Sequence, residues 1–341
     1  VIALGLGLAG FSMILTGLAD GFVAVGFWRG LAGVGSGMAN IPVYGVVSAW
    51  FSSKRRGMAT GIAVSGSSIA LIALGPLVPH LLDAFGTSGW RVCWYLFGCF
   101  TLVLAVAGAF LLRNVPAEKG LNPIAADDSE TAIGKGSAND RPDWSQVYRS
   151  KTAWHLGVVY IAFGFSYIIY VTFFFKMLVA EGGYTTTGAG RLFMLMGWCS
   201  LLCGLIWGSM SDVVGRRYAL LSVYLVQAVA YALVSLWPSN AGYIVSSVMF
   251  GITAWSIPGI MAAACGDLFG SRLAPAALGF ITLFFGVGQV ISPGIAGAMA
   301  DAAGSFSSAF SLAAIVATLG AVGALSLPDD RSRGAAVPDS R

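Results

Sequence analysis

The sequence predicts an all-α membrane protein, a bundle that crosses the bilayer about ten times, and three observations carry that expectation. Only 10% of the 341 residues are charged and 57% are hydrophobic, whereas a soluble domain carries roughly 25% charged residues. A chain so poor in charge cannot cover its own surface against water, and lipid is the solvent that suits it. The apolar residues fall in runs of roughly 18–25, the length that spans a hydrocarbon core. Glycine is abundant, at 46 residues. Gly, Ala and Ser let membrane helices approach closely, which suits a packed bundle better than a lone anchor.

Taken in order, the apolar segments are 1–19, 22–49, 56–82, 91–112, 153–178, 188–210, 218–237, 241–265, 273–299 and 305–326. Short turns such as Trp237-Pro238-Ser239-Asn240 separate most of them. Residues 113–152 differ. They are rich in Asp, Glu, Lys, Ser, Asn and Pro, cannot bury a core, and read as a surface linker with four helices before it and six after. The expected domains are a half-bundle over 1–112, the linker over 113–152, a half-bundle over 153–326 and a tail over 327–341. If the linker is cytoplasmic and the helices alternate, 15 of the 19 Lys and Arg fall on the cytoplasmic side, the bias that topology follows. The expected location is the inner cell membrane, multi-pass, with a cytoplasmic C-terminus.

Composition also excludes function classes. No nucleotide-binding P-loop occurs, so direct ATP drive is not expected. The two histidines, His80 and His155, lie near segment ends, and no Asp or Glu occupies the middle of a segment. Without a nucleophile–base pair or paired carboxylates at depth, the chain is not expected to be an enzyme. The cysteines Cys93, Cys99, Cys199, Cys203 and Cys265 lie in apolar segments without CxxC or zinc spacing and read as buried free thiols. No cofactor, metal or nucleic acid is expected, and the expected state is a monomer in the lipid bilayer.

Two segments match at an offset of 218 residues: Ala59-Thr60-Gly61 through Asp83 and Gly86, and Ala277-Leu278-Gly279 through Asp301 and Gly304. Either this is chance likeness between apolar helices, or two similar half-bundles sit in one chain, as in many secondary transporters. The loop after the sixth segment reads Gly208-Ser-Met-Ser-Asp212-Val-Val-Gly215-Arg216-Arg217. It resembles the G-x-x-x-D-x-x-G-R-R loop of the major facilitator superfamily. There the Asp caps a helix end and the Arg residues face the cytoplasm and latch the helices, which implies a latch of Asp212, Arg216 and Arg217. The resemblance covers essentially the whole chain and implies twelve helices in two pseudo-symmetric halves. A first copy of the loop would fall just before Val1, so the expectation is that two helices of the family's bundle precede the ten seen here.

Two further motifs narrow the family. Arg29-Gly-Leu-Ala-Gly33-Val-Gly35-Ser-Gly37 matches the superfamily's R-x-x-x-G-x-G pattern of the fourth helix. The stretch Trp50-Phe51 to Gly66 looks like the [YW]-F-x-[KR]-R-R-x-x-A-x-G-x-A-x-[AS]-G signature of monocarboxylate-transporter-like proteins, a group that includes oxalate–formate exchangers. Its positions here are Lys54, Arg55, Arg56, Gly61 and Gly66, with one extra residue before the basic cluster. Physically the cluster anchors a helix start at the cytoplasmic surface, and the small residues allow close packing. The resemblance implies a secondary transporter of small organic anions, monocarboxylates, working by alternating access, with a coupled proton (a symporter) or a counter-anion. Characterised members often carry an Asp and an Arg one turn apart in the eighth helix; Ser200 and Gly204 stand there in this chain. A carrier of a neutral or drug-like solute and a non-transporting family member are the alternative readings.

A carrier needs a polar lining near mid-bilayer. On the second segment Arg29, Gly33, Ser36, Asn40 and Tyr44 recur at three- and four-residue steps and share one face. Arg29 lies well inside an apolar run. An intramembrane Arg is a functional candidate, or else a structural one bound to carbonyls. On the fifth segment Tyr160, Phe163, Tyr167, Tyr170 and Phe174 form an aromatic stripe that reads as helix packing or as cavity lining, with Tyr167 and Tyr170 the mid-span members. Trp255 before Pro258 and Gln289 before Pro293 are further lining candidates, because prolines free backbone carbonyls. Asp267 and Arg272 read as a gating pair or as a solvated loop pair.

Overall fold

The computed structural model describes residues 1–51, 53–122, 124 and 144–327, without the side chains of residues 48, 53–58, 60, 61 and 270–272. Apart from helical backbone, Lys54, Arg55, Arg56, Gly61 and Arg272 lie outside the described residues, as do Lys135, Arg141, Arg331, Arg333 and Arg341 entirely. The α-helices are α1 (Ile2–Leu18), α2 (Phe22–Trp50), α3 (Ser53–Phe85), α4 (Gly89–Leu111), α5 (Ser145–Arg149) and α6 (Lys151–Ala180). They continue with α7 (Thr186–Ser200), α8 (Cys203–Val214), α9 (Arg216–Leu236), α10 (Asn240–Gly251), α11 (Ser256–Ala303) and α12 (Ser307–Leu325).

By length and hydropathy six stretches are fit to cross a membrane, or seven with the bent pair α7 and α8 as one span. One of the six, Ile62–Leu111, has 50 residues. At 1.5 Å per residue that is about 75 Å, more than twice a roughly 30 Å hydrocarbon core, and it resolves into two crossings, α3 and α4. With α1 and α2 added, the expected ten segments are present.

The boundaries differ from expectation in two places. No loop parts the eighth and ninth segments: α11 runs 48 residues without a break and contains the end of one span, Asn240–Phe269, and all of the next, Leu273–Ala303. The eighth segment is instead interrupted inside, at residues 252–255. Tight turns replace the helix there, with Thr253 N donating to Phe250 O, Ala254 N to Gly251 O and Ser256 N to Thr253 O. Two causes are visible. Pro258 has no N–H to give Ala254 O, as a continuous helix would require. The indole of Trp207 also enters the ladder and donates to Ile252 O at 2.7 Å.

The chain forms two compact units, Val1–Ala63 with Leu77–Asp140, and Val64–Pro76 with Arg141–Arg341. In the first, α1 packs on α2 and on α4. A Cβ on Gly35 would lie 2.6 Å from Gly5 O, so α1 and α2 meet backbone to backbone. Arg91, at the start of α4, closes the end of α1. Its guanidinium donates to Gly17 O (2.8 Å) and Ala19 O (3.3 Å) and pairs with Asp20 at 2.7 Å. The hydroxyl of Tyr95 also donates to Gly17 O at 3.0 Å. These are carbonyls that a helix end leaves without donors.

In the second unit α6 packs on α11 and α12, α9 on α12 and α10, and α10 on α7. Val64–Pro76 of α3 joins it through Ser200, whose hydroxyl donates to Ser68 Oγ at 2.7 Å. Its core is aromatic: Tyr170, Tyr224, Tyr231, Phe163, Phe174, Phe250 and Phe310 are wholly buried. The tyrosine hydroxyls of this core find partners, as the absence of water in lipid favours. Tyr224 donates to Val159 O at 2.6 Å, and Tyr170 shares a 2.8 Å hydrogen bond with Ser246.

Candidate functional site

Arg29 lies on α2 with its guanidinium 4.4 Å from the centre of the Trp94 ring on α4. No carboxylate or carbonyl among the described residues accepts from it. Inside a helix each nearby carbonyl already has the amide four residues on as a donor and offers only its second lone pair. Arg29 lies about two turns into α2 and is exposed on the unit's surface. A cation–π contact at such a site is worth about 0.5–1 kcal/mol and leaves the N–H edge open. An oxyanion is the group that such a fork binds in bidentate fashion.

The other residues of that face also stand clear of the unit's interior: Gly33, Ser36 and Asn40 are exposed, and Tyr44 is half-buried. Pro42 falls within the same helix.

The aromatic stripe of α6 divides. Tyr160, Phe163, Tyr170 and Phe174 are buried. Tyr170 stacks on Phe174 and Phe250, with centroids 4.6 and 4.3 Å away. Tyr167 is half-buried and meets Trp255 edge-on at 5.9 Å, so these two candidates lie together. The indole N–H of Trp255 is buried with no acceptor, at a break between two helices, where membrane carriers build polar subsites. Gln289 is half-buried on α11, next to Gly288, whose backbone abuts Ile161 and Phe165 of α6.

At the loop motif, Asp212 near the end of α8 and Arg216 at the start of α9 pair at 2.5 Å. Arg216 also reaches Asp267 at 2.8 Å and donates to Ser211 Oγ at 2.6 Å. Asp267 thus has Arg216 as its partner. Arg217 stands apart from this network: it lies over the Tyr218 ring at 5.4 Å, with a buried Nε that has no acceptor. Gly66 is exposed on α3. His155 Nε2 contacts Gly323 O at 3.0 Å, and Lys176 lies over the Phe306 ring at 5.0 Å.

Three residues escaped sequence reasoning: Trp94, Trp207 and Gln227. Trp94 had a readable signal. α2 and α4 enter from the same side in an alternating bundle, and Arg29 and Trp94 both fall within the first turns of their helices. Gln227, whose amide donates to Thr253 O at 3.2 Å, had the signal of a lone amide inside an apolar run.

A bundle of apolar helices long enough to cross a bilayer, interrupted at residues 201–202 and 252–255, is the architecture of a polytopic membrane protein. The family model described as uncharacterised MFS-type transporter YbfB matches residues 1–325, and the chain belongs to this family of the major facilitator superfamily. The chain is 24% identical over 310 residues to a hexuronate transporter of Bacillus subtilis, covering 87% of this chain and 71% of that one. It is 25% identical over 333 residues to monocarboxylate transporter 12 of Xenopus laevis, covering 91% and 70%. Among solved structures it is similar to a bacterial homolog of the human lysosomal transporter Spinster, at TM-score 0.62 and 15% identity over 95% of this chain and 80% of that one. The human organic anion transporter MFSD10 gives TM-score 0.61 at 16% identity, covering 95% and 76%. At such identities these structures establish the fold. Family and relatives are transporters, and membrane transport is the class of activity they support for this chain.

Proposed function

We propose that the protein is a secondary transporter of small organic anions, monocarboxylates or uronates, working by alternating access with a proton or a counter-anion as the coupled species. The observation that carries the reading is Arg29, a guanidinium within an apolar helix whose N–H edge meets no acceptor among the described residues. The named substrates of the relatives, hexuronates and monocarboxylates, have a carboxylate in common, the group that a guanidinium fork recognises. In this reading Asn40 and Tyr44 extend the polar face of α2; Tyr167, Trp255 and Gln289 are the lining candidates of the second unit, and Tyr170, buried against Phe174 and Phe250, packs behind Tyr167. Asp212 and Arg216 form a latch with Asp267, with Arg217 beside it. Residues 1–112 and 153–326 are the two half-bundles. The polar linker 113–152, the tail 327–341 and the signature cations Lys54, Arg55 and Arg56 lie on the cytoplasmic side of the inner membrane, and the protein acts as a monomer.

The test is uptake by proteoliposomes of the full-length protein, with labelled lactate, formate, oxalate and glucuronate, with and without an imposed pH gradient. Saturable uptake of one of these acids that falls at least tenfold in Arg29→Ala is expected, since losing one charged hydrogen-bonding partner costs about 1.5–3 kcal/mol. Response to the gradient separates proton symport from exchange. No uptake of any of the four acids by correctly inserted protein overturns the proposal.

A further inference from the structure

We infer that Trp94 is the positioning residue of the anion site, holding the Arg29 guanidinium flat against its ring so that the N–H edge points to substrate. This rests on the reading of Arg29 given above. Two arginines of the first unit lie over tryptophan rings, Arg29 over Trp94 at 4.4 Å and Arg91 over Trp90 at 4.6 Å. They differ in everything else. Arg91 gives its protons to Gly17 O, Ala19 O and the Asp20 carboxylate, and its role is complete within the fold. Arg29 has the ring and no acceptor among the described residues.

A flexible side chain with a single charge and no hydrogen-bond partner samples many rotamers, and ordering it on binding weakens the complex. A π-face beside the guanidinium restricts that freedom, and in the stacked arrangement that Arg adopts on aromatic faces it does so without occupying a donor. Trp94 is itself oriented: Phe97 meets it edge-on, centroids 6.4 Å apart, one turn further along α4. Tryptophan is the aromatic with the strongest cation–π attraction. The arrangement is therefore a pre-set receptor for a planar oxyanion such as a carboxylate, built from two helices of one unit.

The experiment measures KM and kcat for labelled lactate and glucuronate uptake in proteoliposomes of the full-length protein carrying Trp94→Tyr, Trp94→Phe, Trp94→Leu, Arg29→Ala and the Arg29→Ala/Trp94→Leu pair. Unfolding midpoints are recorded for each. KM is expected to rise through the series Tyr, Phe, Leu, reaching roughly tenfold at Leu, with kcat and the midpoint near the parent values. Trp94→Leu should add nothing once Arg29 is alanine. Should Trp94→Leu fail to fold, the Tyr and Phe variants carry the same ordering. An unchanged KM across the series, in a protein that Arg29→Ala disables, overturns the inference and leaves the anion reading standing. Uptake indifferent to Arg29→Ala overturns both.

Discussion

Replacing Trp207 by phenylalanine removes one N–H from the interior of the second unit and leaves most of the ring in place. That N–H donates to Ile252 O at 2.7 Å, and no cap or turn amide among the described residues donates to the same carbonyl. In lipid a freed carbonyl has no water to turn to. An orphaned buried group costs about 1–3 kcal/mol, whereas interhelical hydrogen bonds in membrane proteins average about 0.6 and reach about 1.7 kcal/mol. The expected loss of stability is therefore about 1–2 kcal/mol. Gln227→Leu is the comparison. Its amide donates to Thr253 O at 3.2 Å, but that carbonyl also accepts from Ser256 N at 3.2 Å. The Tyr231 hydroxyl donates to Gln227 Oε1 at 3.3 Å. Gln227→Leu should cost less than about 1 kcal/mol, because both bonds it gives up are long and the carbonyl it abandons keeps another donor. The assay is unfolding of the purified full-length protein by sodium dodecyl sulfate in mixed micelles, followed by circular dichroism. A Trp207→Phe protein as stable as the parent, or more stable than Gln227→Leu, refutes the idea that this indole sustains the broken helix.

Two further outcomes are expected. Arg91→Ala strips donors from Gly17 O, Ala19 O and Asp20 at once, and should lower the unfolding midpoint in the same titration. Arg91→Lys should recover only part of the loss, because a point charge cannot span three acceptors. Arg216→Gln and Asp267→Asn should each disturb uptake, and the double variant should be no worse than the worse single one, since both break one contact. Their effect on stability should stay near 0.5–1 kcal/mol, because the side chains of Asp212 and Asp267 are 66% and 44% exposed. A fully additive double variant would show that Arg216 and Asp267 act apart.

The helices were legible because lipid imposes a length and a composition on every crossing, and the chain repeats both ten times. Breaks and continuities were not. The eighth segment and the one after it look alike in hydropathy, yet the first is interrupted at 252–255 and the join between them is continuous helix. The interruption depends on Trp207 and Gln227, which lie 45 and 26 residues before the carbonyls they serve, a pairing that no local pattern contains. The stripe of α6 was legible as a stripe but not in its depth. Tyr167 and Tyr170 are three residues apart, so they differ by about 60° around the helix. In a helix enclosed on several sides that angle separates a ring at the edge from one sealed between Phe174 and Phe250.

The candidate site was legible to the same limit. Arg29 and Arg91 are both arginines near the start of a membrane helix, and both lie over a tryptophan. What separates them is distance from a helix end. Arg91 sits beside the last turn of α1, where carbonyls lack donors and will accept its protons. Arg29 lies farther along α2, where each carbonyl already has an amide donor and offers only a second lone pair. A charge placed there gains less from the backbone and is open to a ring, to a substrate, or to both. Its depth along the helix can be counted from the sequence, whereas its lack of an acceptor among the described residues cannot. The ring that supports it belongs to another helix and required the fold.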